Sequence, residues 1–253
     1  MGAHREDLRS EGRPVTLAQR EGGSTLQLLS GGAAQGIVGA IEEDFRLATA
    51  ARVQGTFGAV GAMRDKLLAG APCDAIILTA PLIAELEVAG HVQAGTAVPL
   101  GCVRTGIAVR SGEPLPAIAD GPALRATLLA AAGLYFPDPE LATAGIHFVK
   151  VLRELGIHDA VAPRLHPFPN GAAAMRELAR STAGGLVGCT QITEIRHTPG
   201  VVLVGPLPAG FELSTVYTVA VCRRAEEPGL ATRLAEMLSG PATRSLREAA
   251  GFD

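Results

Sequence analysis

The sequence predicts an α/β fold, with mixed, mostly parallel sheets and helices on both faces. Three observations carry that prediction. Short apolar runs of strand length alternate with longer stretches whose apolar residues recur at helical spacing. Small residues gather where a strand run gives way to a helix run, as in open α/β sheets. The composition is that of a folded chain, with 47% hydrophobic residues and 22 Lys+Arg against 25 Asp+Glu in 253 residues.

From Leu26 onward the strand runs are 26–29, 52–57, 74–78, 105–110, 134–136, 164–168, 185–190, 201–204 and 215–222. Each is a short run, largely of apolar or β-branched residues. Between them, Val60, Met63, Leu67 and Leu68 fall on one helical face, as do Ile146, Val149 and Leu152, and then Met175, Leu178 and Ala179. Two closing helices occupy about 230–238 and 241–250. Parallel strands need such crossover helices, so the alternation implies βαβ units.

Two strands resemble each other, Thr105-Gly-Ile-Ala-Val-Arg110 and Tyr217-Thr-Val-Ala-Val-Cys222. They read either as two ordinary core strands or as the two hinge crossings of a two-lobed chain. On the second reading, 25–104 plus 223–253 form lobe one and 105–222 lobe two, with a polar, disordered head at 1–24.

Composition excludes several classes. A formal net charge of -3 leaves no basic footprint for nucleic acid. With no Trp, two Tyr and seven Phe, stacking platforms are scarce. No apolar run approaches the ~18 residues that span a bilayer, so no membrane insertion is expected. The head lacks the central apolar stretch of a secretory signal, so the chain as written is expected in the cytoplasm, and in the periplasm if the true start differs. Cys73, Cys102, Cys189 and Cys222 form no CxxC pair and read as buried free thiols. His4, His91, His158, His166 and His197 show no ligand spacing, so neither a metal nor another cofactor is expected.

The 31 glycines, with 17 prolines, raise the question of where they fall. Four junctions carry small residues: Ser30-Gly31-Gly32-Ala33, Gly58-Ala59-Val60-Gly61, Ala142-Thr143-Ala144-Gly145 and Gly188-Cys189-Thr190-Gln191. Helix starts present unpaired N–H groups and the positive end of the helix dipole, and residues without bulky side chains let an anion approach them. Any single junction is equally an ordinary helix cap. Four of them, two in each lobe, point to a shared site for a small anion. Asn170-Gly171 is a fifth junction that a plain cap explains as well. None matches GxGxxG or GxxxxGK[ST], which disfavours nucleotides.

The run LLSGGAAQG, TFGAVGAMRDKLLAG, CDAIILTAPLIAEL, FPDPELATAGIHFVKVLRELGI and GCTQITEI, spread from Leu26 to Phe252, resembles the molybdate-type solute-binding proteins of the type II periplasmic-binding fold. DPELATAGIHFVKVLRELGI is the most specific segment. The resemblance implies an oxyanion held between two lobes by hydroxyls and N–H groups at helix starts. Ser30 then matches the family's first serine, and Ala144-Gly145 its helix-start pair. The implied ligand set is Ser30, Gly31, Gly32, Gly58, Ala59, Val60, Thr143, Ala144, Gly145, Thr190 and Gln191. Two positions depart from the family: its second serine falls in Gly58-Ala59-Val60-Gly61, which has no hydroxyl, and its late tyrosine is replaced within Cys189-Thr190-Gln191.

Partners implied are a small oxyanion or polycarboxylate and, for an exported chain, the permease of an ABC transporter; the protein is expected to be a monomer. The sequence also resembles aconitate isomerases, which implies an alternative: proton transfer on an unsaturated polycarboxylate. Such an enzyme needs one base beside the anion site. His147, on the first turn of the helix after Ala144, and Glu194, just past the Thr190-Gln191 corner, are the candidates, with Arg64, Lys66 and Arg104 as carboxylate clamps. Each has a plainer reading: His147 packing beside Phe148, Glu194 as a surface carboxylate, and the cations solvated.

Overall fold

The computed structural model describes residues 23–253. The head expected to be disordered, 1–24, lies outside the described residues apart from Gly23 and Ser24.

The chain opens with β1 (Thr25–Gly31), α1 (Gln35–Thr49), β2 (Arg52–Gly58), α2 (Val60–Leu68), β3 (Ala75–Thr79) and α3 (Ala80–Val88), then enters the long β4 (Val98–Arg110). There follow α4 (Gly121–Ala130), β5 (Gly133–Pro137), α5 (Thr143–Glu154), α6 (His158–Val161), β6 (Leu165–Phe168), α7 (Gly171–Arg180), β7 (Leu186–Gln191), α8 (Ile192–His197) and β8 (Val201–Pro206). The chain ends with β9 (Ser214–Val221), α9 (Pro228–Ser239) and α10 (Arg244–Ala250).

The strands run in the order β2-β1-β3-β9-β4-β7-β5-β6, with β8 also on β4. Pairing is parallel among β1, β2 and β3 and among β5, β6 and β7, and antiparallel wherever β4 or β9 takes part. This is the mixed α/β architecture that the alternating pattern predicts. Continuous burial explains the places of two strands: all five residues of β3 and all six of β7 are buried, as central strands covered on both faces require.

β4 serves two sheets. Its first half, Val98 to Arg104, pairs with β9, and its second half, Thr105 to Arg110, pairs with β7 and β8. Apolar burial divides at the same place. One cluster gathers Leu28, Phe45, Ile76, Val219 and Leu234; a second gathers Ile107, Leu134, Phe148 and Val187, with a third around Met175 and Leu178.

Thr105-to-Arg110 starts where the partners of β4 change and itself lies in the second sheet, and Tyr217-to-Cys222 does not cross between the sheets either. That stretch lies inside the first sheet, hydrogen-bonded to β3 and to the first half of β4, and packs in the first cluster. The return passes earlier, through 207–213, where Leu207 N–H donates to the Thr105 carbonyl (3.1 Å) and Thr105 N–H to that of Leu213 (3.0 Å). An apolar strand bounded by turns looks the same from the sequence whether it crosses or sits in a sheet.

Behind the first sheet, the buried Asp74 carboxylate accepts N–H groups from Gln27 (2.7 Å), Glu226 (2.7 Å) and Glu227 (2.9 Å), tying β1 to the entry of α9. The four cysteines are free; Cys73, Cys189 and Cys222 are buried and Cys102 is half-buried. No group of three His, Cys, Asp or Glu side chains among the described residues is placed to hold a metal. No helix among them is long and apolar enough to cross a membrane.

Candidate functional site

The small-residue junctions meet. A cavity of about 20 Å³, room for roughly one water-sized body, is bounded by Gly32 and Ala33 after β1, Gly58 to Val60 at α2, Ala142 to Ala144 at α5, Asn170-Gly171 at α7, and Gln191 and Glu194 at α8.

Local chemistry leaves several of these helix starts uncapped. Ala59 and Ala142, in extended conformation ahead of α2 and α5, have no side chain that can accept the first-turn N–H groups. Neither helix has an acidic residue in its first turn to answer the dipole from within. By contrast, Asn170 caps α7 in the usual way, its side chain accepting from Ala173 N–H at 2.8 Å.

Close approach accounts for the glycines. A Cβ on Gly32 would stand 2.2 Å from Glu194 Oε1, and one on Gly171 2.0 Å from both Glu194 Oε2 and Thr190 Oγ1. Gly145 does not line the cavity. A Cβ there would meet the Pro137 and Asp138 carbonyls at 2.3 and 2.2 Å, so this glycine lets α5 press onto the end of β5. Gly31 sits behind the wall, where a Cβ would press on Val60 Cγ1 at 2.8 Å and Tyr217 Cε1 at 3.1 Å.

Of the other expected ligands, Ser30 is fully buried outside the cavity lining, its hydroxyl donating to the Gly31 carbonyl at 2.9 Å. Thr190 also stands behind the lining and donates to Glu194 Oε2 at 2.5 Å. Gln191 is 3% exposed, lines the cavity, and has neither amide atom in a hydrogen bond of regular geometry. Leaving an amide unpaired in a buried position is costly, which marks it as a group awaiting a partner.

Glu194 is not a surface carboxylate. It is 6% exposed, and burial pushes its carboxyl above the usual carboxylate range. The Thr190 hydroxyl, the N–H groups of Ala172 and Gln191, and the Arg176 charge pull the other way. Across from it, burial raises the Tyr217 hydroxyl, the Glu194 charge adding to the rise and the neighbouring Gln191 opposing it. Tyr217 reaches the cavity from β9, so a tyrosine is present although none follows the late glycine strand. Its rarity, as one of two tyrosines, was the available sequence signal.

Outside this cavity lies a larger one of about 380 Å³ that shares Val60 and Thr143 with it and includes Arg64, His147 and Lys150. His147 belongs to this outer cleft, with Nε2 2.8 Å from the Phe211 carbonyl, so of the two candidate bases only Glu194 lines the inner cavity. Arg64 pairs with Asp65 at 2.8 Å, and Arg104 with Asp253 at 3.0 Å away from the inner cavity. Lys66, in the last turn of α2, lines neither cavity. Between the two cavities, Gly61 N–H donates to the Leu141 carbonyl at 3.0 Å, joining α2 to the approach to α5.

Residues 26–253 match the model of a family described as bacterial extracellular solute-binding protein. An aconitate isomerase from a Pseudomonas species is 24% identical over 230 residues, covering 85% of this chain and 82% of that one. The periplasmic molybdate-binding protein of Azotobacter vinelandii superposes with a TM-score of 0.74 at 18% identity, over 90% of this chain and 98% of that one. The sulfate-binding protein SubI of Mycobacterium tuberculosis H37Rv gives 0.70 at 20% identity, over 90% and 86%. At these identities the structural likeness establishes the fold.

Proposed function

We propose that this chain, which belongs to the bacterial extracellular solute-binding protein family, binds a small anion in the inner cavity between the two halves of its sheet. The observation that carries the reading is the convergence of the uncapped starts of α2 and α5 on the unpaired Gln191 amide. Helix-start N–H groups and a buried amide supply several donors, and each donor to a charged ligand contributes about 1.5–3 kcal/mol.

In this reading Gly32, Gly58, Ala59, Val60, Thr143, Ala144 and Gln191 face the ligand. Ser30, Gly31, Gly145 and Thr190 hold the wall in place. Since the cavity as it stands has room for about one water, the two halves part about β4 and the 207–213 return to admit an anion, separating Gly61 from Leu141. An extracellular family favours export over the cytoplasmic expectation, and delivery of the anion to an ABC-transporter permease.

One observation favours a second reading. Glu194 is a buried carboxylate with a raised pKa at the wall of the anion cavity, which is what a base that removes and returns a proton beside a bound carboxylate requires. With the likeness to an aconitate isomerase, it supports an isomerase of a small unsaturated polycarboxylate, with Glu194 at the proton and His147 in the outer cleft.

Calorimetric titration with molybdate, tungstate and sulfate, run beside trans-aconitate in heavy water followed by NMR, separates the readings. Saturable anion binding with no turnover supports the binder. Appearance of cis-aconitate carrying solvent deuterium, lost in Glu194→Gln, establishes the isomerase and overturns the pure binder. Neither binding nor turnover removes the isomerase and a binder of fully ionised oxyanions.

A further inference from the structure

The inner wall is not uniformly a donor surface. Amid N–H groups and neutral side chains such as the Gln191 amide it carries one carboxylate, that of Glu194, which enters the cavity from the first turn of α8. Its position is fixed from three sides. Thr190, near the end of β7, donates to Oε2 at 2.5 Å; Gly171 leaves no room on the α7 side, where a Cβ would stand 2.0 Å from the same oxygen; and Gly32 leaves none on the β1 side, 2.2 Å from Oε1. The carboxylate therefore cannot swing out of the way of a ligand without moving backbone.

A fully ionised tetrahedral dianion has only acceptor oxygens. Placed here, it would set an acceptor against an acceptor and a charge against a buried carboxyl, in surroundings where neither is screened by water. A ligand that carries an O–H turns the same contact into a charge-assisted hydrogen bond, with the ligand donating and Glu194 accepting.

On the proposal that the cavity is an anion site, we infer that Glu194 is its specificity-determining residue and selects anions that present a hydroxyl hydrogen, such as hydrogen phosphate or a hydroxycarboxylate, over fully ionised or hydroxyl-free ones. Because burial raises this carboxyl and so favours its protonated form, which would donate instead, the preference belongs to the ionised side chain and strengthens as pH rises. Specificity of this kind is the difference between a satisfied and a clashing acceptor, and needs no change in the size of the site.

Two matched pairs of probes test it on the full chain: inorganic phosphate against sulfate, and malate against succinate, which differ by the hydroxyl. Titrating the wild-type protein with all four comes first and requires no variant. The expected result is affinity at least about tenfold higher for the hydroxyl-bearing member of whichever pair the cavity accepts, phosphate identifying an oxyanion site and malate a carboxylate site. Glu194→Gln keeps the side-chain volume but turns one oxygen into a donor. It should narrow or invert that preference, chiefly by gaining affinity for sulfate or succinate, while circular dichroism verifies that the variant is folded.

Equal wild-type affinity within both pairs overturns the role of Glu194 and leaves the anion site standing. A wild-type preference that survives unchanged in folded Glu194→Gln does the same. Binding of none of the four overturns the anion site as well.

Discussion

Replacing Gly171 by alanine probes how tightly the second half of the molecule is fitted around Glu194. Gly171 opens α7 with an ordinary helical backbone and no positive φ, so alanine brings no backbone strain there. On helix propensity alone the change stabilises by up to about 1 kcal/mol. Against that, the new Cβ falls 2.0 Å from Glu194 Oε2 and Thr190 Oγ1, and the two must part. Losing a hydrogen bond to a charged, buried acceptor costs about 1.5–3 kcal/mol. The balance is a net loss of about 0.5–2 kcal/mol, and about 2–4 °C in Tm for each kcal/mol in a chain of this size. Urea denaturation measures it, with Gly39→Ala as control: Gly39 is exposed on α1 with nothing within 4 Å of its Cβ position, so alanine there should only stabilise. Anion affinity should fall at least about tenfold in Gly171→Ala and stay unchanged in Gly39→Ala. If both variants gain stability equally and bind alike, the packing of Glu194 and Thr190 against α7 is refuted.

Asp74→Ala leaves three part-buried backbone N–H groups, those of Gln27, Glu226 and Glu227, without their acceptor and should cost at most about 3–9 kcal/mol at about 1–3 kcal/mol per unpaired donor, toward the low end because water can reach them; Asp74→Asn, which retains acceptor capacity, should lose less in the same urea midpoint. For Glu194, a carboxyl raised by burial is held more firmly protonated in the folded than in the unfolded chain, so its contribution is fully present below the unfolded value near ~4.3 and is lost as pH rises through the folded one. Wild-type stability measured relative to Glu194→Gln should therefore decline from about pH 4 upward across that window, where Arg176 and Tyr217 are the other titratable groups acting on the site. A flat difference between the two proteins would show that burial does not shift this carboxyl.

Much of the scaffold was legible because small residues after an apolar run have few uses. Gly58-Ala59 and Ala142-Thr143-Ala144 can only be turns into helices or places where something comes close, and they proved to be both. That they face one another across the molecule cannot be read from spacing, since residues 33 and 191 are joined only by the long-range pairing of the strands; the family resemblance supplied it. The first half of β4 escaped notice because Pro99 and Gly101, the latter at φ 143°, look like turn residues, whereas they form an irregularity in the pairing with β9. Gly121-Pro122 likewise hid α4, although Asp120 accepting from Ala123 N–H makes it an ordinary capped start. Glu194 was harder still, because glutamate is rarely buried without a partner. Its partner was in plain view, Thr190 four residues back in β7, and a hydroxyl four residues before a carboxylate is the signal that could have placed it.

The position of β9 has a consequence for how the chain assembles. In the first sheet β9 is inserted between β3 and β4, so those two strands have no common partner until residues 214–221 exist. The stretch from Thr105 to Leu207, by contrast, contains nearly all of the second core in one continuous length. Contacts between segments far apart in sequence close slowly, and a strand edge left open invites the wrong partner. The order of events is thus inverted relative to synthesis: the middle of the chain settles first, the beginning waits with β3 unpaired on one side, and the last forty or so residues finish what the first hundred began. Pulse-labelled hydrogen exchange during refolding should protect Leu134 and Val187 before Ile76 and Ile77, and the reverse order would show that β1 to β3 hold together without their missing neighbour.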